Sequence, residues 1–93
     1  MNKFDPQTAS ARDIRERIKT VLAEVSGLEP HDIDVNMAIA DDIAPNSIDR
    51  ITLFMALEDE FGQSIPEQEV RHINTVEELI EFVEERVRAL RGD

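Results

Sequence analysis

Apolar positions recur along the chain in stretches with helical spacing. Ile14, Ile18, Val21, Leu22 and Val25 follow at intervals of four, three, one and three, which sets them on one helix face. Ser10 with Asp13 three positions on resembles a capping box, and Gly27 ends this first helix. Asn46 can cap a second helix, with Asp49 in its first turn favoured by the helix dipole, running through Phe61 to a stop at Gly62. Ile65 and Pro66 restart the chain, and Glu67 to His72 is long enough for one or two turns. Asn74 with Glu77 predicts another cap, followed by Val76, Leu79, Ile80, Val83, Val87 and Leu90. Arg86, Arg88 and Arg91 stand toward the end of this last helix, where cations suit the dipole. Nothing alternates with period two over a useful length, and there is no internal repeat. The pattern predicts an all-α fold of three longer helices and one short third helix.

Two segments stand outside this periodicity. Residues 1–9 are polar, contain Pro6 and read as a flexible N-terminal tail, leaving residues 10–91 as the domain. Residues 28–46 form a long loop between the first two helices, with Pro30, Pro45 and the apolar anchors Leu28, Ile33, Val35, Ile39 and Ile43. Loops of this length are uncommon in small domains and often functional. The second helix is unusual in another way. At about 100° per residue, Leu53, Leu57, Phe61 and Phe54 make a core stripe, while Ile48, Ile51 and Met55 fall on a different face. Acidic residues surround that second patch, and an apolar patch with a polar rim is the usual anatomy of a partner surface.

Composition narrows the class. Ninety-three residues with 41% apolar content suit one domain with one small core. With no cysteine there is no disulfide framework, thiolate zinc site or cysteine nucleophile. No apolar run approaches a membrane span and no basic leader precedes an apolar stretch, so the expectation is a cytoplasmic protein without membrane insertion. The net charge is −11, and its distribution is uneven. Residues 1–23 sum to +2 and residues 71–93 to −2, while residues 24–70 hold twelve acids and one cation, Arg50. A one-signed surface of this kind steers basic partners, argues against nucleic acid, and favours a monomer.

Most chemical motifs fail. Asp32-Ile33-Asp34-Val35-Asn36 opens like a calcium loop, but Met37 stands where the turn needs glycine and Ile43 where a bidentate glutamate belongs. His31 and His72 are far apart in sequence and in no metal-binding spacing. The terminal Arg91-Gly92-Asp93 spells an adhesion tripeptide without a context that supports it. No nucleophile–base–acid set, P-loop or GxGxxG is present.

One long stretch does carry a pattern. Asn46-Ser47-Ile48 opens the second helix, Met55 to Phe61 reads Met-Ala-Leu-Glu-Asp-Glu-Phe, Ile65-Pro66-Glu67 follows, and Ile73-Asn74-Thr75-Val76 leads into the last helix. These four pieces, in this order and spacing, resemble the acyl carrier protein family over roughly residues 11–90. The resemblance implies a four-helix bundle of acyl-carrier type and a non-catalytic carrier. By position Ser47 is the residue esterified with 4′-phosphopantetheine, whose thiol holds acyl groups as thioesters. A helix N-terminus suits that phosphodiester, since it offers free amide donors and the positive dipole end. Asn46 stands beside the attachment, and Arg50, in the first turn of the helix, is expected to pair with the phosphodiester.

The resemblance further implies a partner surface of Ile48, Asp49, Met55, Glu58 and Asp59, and an acyl pocket of Ile39, Leu57, Val70 and Ile73. The implied partners are a phosphopantetheinyl transferase (the holo-carrier synthase) and acyltransferase or ketosynthase-type enzymes with basic patches. The chain departs from the family pattern at Asn46 in place of Asp, at Ala44-Pro45 in place of Gly-Ala, at Thr52 in place of an acid, and at the added cations Arg50 and Arg71. These changes point to a specialised fatty-acid, lipid or polyketide-type pathway. An aminoacyl or peptidyl carrier, and an unmodified acidic helical adaptor that keeps the fold, are the alternatives.

Overall fold

The computed structural model describes residue 5, residues 7–90 and residue 92; Pro6, Arg91, Asp93 and residues 1–4 of the tail lie outside the described residues. Four α-helices follow in the predicted order: α1 Ala11–Ser26, α2 Ser47–Phe61, α3 Glu67–Val70 and α4 Val76–Leu90. The fold is all-α. Among the described residues the extended pairing is one isolated antiparallel bridge between Ala38 and Thr75. No helix among them is long and apolar enough to cross a membrane.

The helix boundaries follow local chemistry. At α1, the Ser10 hydroxyl accepts from the Asp13 amide while the Asp13 carboxylate accepts from the Ser10 amide, a reciprocal capping box. Gly27 at φ 84° and Gly62 at φ 64° close α1 and α2 in the left-handed region, where a side chain is disfavoured. Asn46 caps α2 by accepting from the Asp49 amide at 2.8 Å. Ahead of Ser10, the Asp5 carbonyl accepts from Thr8 and Ala9, and Ala9 is buried against the core.

The start of α4 differs from the predicted cap. Thr75, not Asn74, caps the helix: its hydroxyl accepts from the Glu78 amide at 3.1 Å. The Glu78 carboxylate in turn accepts from the amides of Asn74 and Thr75, at 2.8 and 3.1 Å. The reason lies in the long connection. Its Met37 and Val35 carbonyls accept from Val76 and Glu77, so the first two α4 amides are already satisfied and the third is left for Thr75. The bonds that the Asn74 and Thr75 amides donate to its carboxylate hold Glu78 below the ordinary carboxylate pKa.

That connection is therefore more than a loop. It contains a 3-10 turn at Pro30–Asp32 and a π-turn at Ile39–Ile43, and the Ile39 amide donates to the Asn74 carbonyl at 2.8 Å. Its apolar anchors Ile33, Ile39 and Ile43 enter the core beside Ile18, Leu22, Leu53, Leu57, Leu79 and Ile80. The connection thus closes the bundle and delivers the chain to Asn46.

Candidate functional site

Ser47 is the first residue of α2 and is exposed. Of the amides at this end, Asp49 donates to the Asn46 side chain and Arg50 to the Asn46 carbonyl. Among the described residues the amides of Ser47 and Ile48 have no protein acceptor. Two free donors at the positive end of a helix, beside an exposed hydroxyl, form a setting in which a phosphate diester fits without displacing any existing bond.

A cleft of about 410 Å³ opens beside Ser47. On the α2 side Ser47, Arg50, Ile51, Phe54, Met55 and Glu58 line it. Ile65, Val70, Arg71, Ile73 and Asn74 line it from the α3 segment, with Ile39 and Ala40 from the π-turn. Three of the residues read from the sequence as pocket, Ile39, Val70 and Ile73, therefore come together there. Leu57 does not: it is wholly buried in the bundle core. Phe54, counted from the helix wheel as core stripe, is only half-buried and faces the cleft instead.

The second face of α2 is open. Ile48, Ile51 and Met55 are 75%, 60% and 62% exposed, against 0% for Leu53 and Leu57 on the opposite side. Asp59 is exposed and Asp49 half-buried along the same helix. Glu58 has a different role from the one its position suggests. Its carboxylate accepts from the Ile65 amide at 2.7 Å, fixing the turn after α2 rather than standing free at the rim.

Arg86 was legible only as a cation near a helix end, yet it reaches sideways. Its guanidinium pairs with the Glu69 carboxylate, donates to the Ser64 carbonyl and lies 5.6 Å from the Phe82 ring centre. Glu58 and Arg86 thus tie the segment from Ser64 to Glu69 to α2 and α4, and Ile65 and Val70 in and beside that segment line the cleft. No spacing rule marks such a pair, because their partners lie across turns whose course depends on the packed fold. Among the described residues no cluster of histidine, aspartate and glutamate could hold a metal.

A family profile described as the phosphopantetheine attachment site matches residues 16–83. An acyl carrier protein of Zymomonas mobilis is 40% identical over 73 residues, covering 78% of this chain and 94% of the relative. An acyl carrier protein of Thermosynechococcus vestitus is 32% identical over 77 residues, covering 83% of this chain and 95% of the relative.

Proposed function

The chain belongs to the acyl carrier protein family, a non-catalytic carrier with a covalent 4′-phosphopantetheine group, and from that premise we propose that Ser47 bears the arm and the adjoining cleft receives the acyl cargo. The observation that supports this best is the junction of three features at one residue: an exposed hydroxyl, two free helix-end amides and an apolar cleft.

On a phosphopantetheinyl transferase, the Ser47 oxygen attacks a phosphorus of the coenzyme A pyrophosphate. One P–O bond forms as another breaks, adenosine 3′,5′-bisphosphate leaves, and the serine proton passes to a base of the transferase. Once attached, the group supplies the thiol on which acyl chains are held as thioesters. The remaining tasks fall to this chain's own residues. The Ser47 and Ile48 amides would hold the phosphodiester, and Arg50, in the first turns of α2, would add a cation for it. Ile48, Ile51 and Met55 give enzymes an apolar contact, while Asp59 and the wider acidic surface steer their basic patches.

Members of the family serve acyl-processing enzymes. We assign this one to acyltransferases and ketosynthase-type enzymes of a specialised pathway, because Asn46, Arg50, Thr52 and Arg71 change the charge that a partner meets around Ser47. Two experiments test the reading. A fluorescent coenzyme A analogue supplied with a broad-specificity transferase should label the wild type and not Ser47→Ala; equal labelling of both would refute the attachment. The loaded protein should be a poor substrate for housekeeping fatty-acid elongation enzymes, and elongation at the rate of their own carrier would refute the specialised role.

A further inference from the structure

The acidic middle of the chain contains a pattern beyond the attachment itself. From residue 24 to residue 71 there are two cations, Arg50 and Arg71, and both line the cleft beside Ser47. Arg17, Arg86 and Arg88 each pair with a glutamate. Among the described residues neither Arg50 nor Arg71 has an ion pair or a side-chain hydrogen bond, and the Asn74 carboxamide at the same cleft is likewise unengaged. The acid of the lining, Glu58, is already bonded to the Ile65 amide. The cleft therefore carries two cations against one engaged acid, on a molecule of net charge −11.

A plain hydrocarbon cargo makes no use of this arrangement. Phe54, Ile65, Val70 and Ile73 offer it apolar walls, and a guanidinium in the lining gains no charge-assisted bond from methylene groups. A carboxylate gains a charge-assisted bond, bidentate when it meets the planar fork of arginine. The phosphodiester on Ser47 accounts for one cation, Arg50, which shares its helix turn. Arg71 stands on the α3 side and has no such counterpart.

Resting on the reading of Ser47 as the attachment site, we propose that the acyl cargo is itself anionic, a chain ending in a carboxylate, and that Arg71 with Asn74 recognises that end. Half-thioesters of dicarboxylic acids are the class that fits. The apolar walls take the methylene segment while the carboxylate stays at the rim, so no charge is buried without a partner.

The test uses the full chain loaded by a transferase from adipoyl-, suberoyl- or sebacoyl-coenzyme A, each beside its methyl ester. Intact mass first verifies loading. The phosphodiester is the same in both members of a pair, so a difference between them isolates the cargo carboxylate from the phosphate. The readout is the rate at which a small external thiol exchanges the thioester. For at least one chain length the carboxyl form should exchange about twofold to fivefold more slowly than its ester, the range of an exposed ion pair. High salt and Arg71→Gln should abolish that gap, and Arg71→Lys should restore part of it. The Arg71 Nε–Hε resonance should shift in the carboxyl form alone. Normal loading with equal rates at all three lengths, or a gap that persists in Arg71→Gln, would overturn the inference and leave the attachment standing. No mass gain would overturn both.

Discussion

Glu78 shows how one side chain ties a cap to pH. Its carboxylate is exposed but accepts the amides of Asn74 and Thr75, which lowers its pKa from the ordinary 4.5. A carboxyl with a depressed folded-state pKa stabilises the fold above its unfolded value, and this stabilisation is lost as pH falls through the folded one. Glu78→Gln should therefore lower the urea midpoint at neutral pH, with the difference shrinking as the pH drops below 4.5. An equal difference at all pH values would show that the charge plays no part. The sequence predicts the cap at Asn74 with Glu77, and the structure uses Thr75 with Glu78 instead. The choice between them is tertiary, set by the Met37 and Val35 carbonyls on the first two amides. Glu58 is the same case: its place on a helix wheel is legible, but its reach to Ile65 depends on the turn at Gly62.

Helix α2 carries a buried face and an exposed apolar face along one element. Leu57 is fully buried, and truncation to alanine should cost about 2–5 kcal/mol in chemical denaturation. Met55 is 62% exposed, and Met55→Ala should alter stability by no more than about 0.5 kcal/mol while weakening capture by partner enzymes. Comparable losses of stability in the two variants would contradict the assignment of faces. This division was readable from the 3.6-residue period, because burial follows the wheel wherever a helix meets the core directly. The cleft was only partly readable. Phe54 and Leu57 fall on one predicted stripe, but the gap between α2 and the α3 segment takes the first and leaves the second in the core. The wall across that gap depends on Arg86, which binds Ser64 and Glu69. Arg86→Ala should accelerate hydrogen exchange at the Ile65 and Val70 amides with little change at Leu22 or Leu53 in the core. Uniform acceleration would mean global destabilisation instead.

For the molecule as a whole, the net charge of −11 sets the response to salt. The net −11 surface opposes compactness, and salt shortens the reach of that repulsion from about 30 Å at 0.01 M to about 8 Å at 0.15 M. The melting temperature should rise over this range, and a flat response would mean that self-repulsion is not limiting. Helix order, the long connection and the place of Ser47 at the head of α2 were legible because each follows from local caps and spacing. The sewing of that connection to α4 was not, since backbone bonds such as Ile39 to Asn74 leave no residue-type signature. The proposed function stands or falls with Ser47 as the residue that holds the arm for acyl groups. Intact and tandem mass spectrometry of the protein isolated from cells that make it, before and after cleavage of thioesters with hydroxylamine, tests it most directly. The expected result is one phosphopantetheine on the peptide containing Ser47, with a further acyl mass that hydroxylamine removes. An arm on Ser10, Ser26 or Ser64, or a chain that stays at its bare mass even after coenzyme A, magnesium and a transferase are supplied, would contradict it.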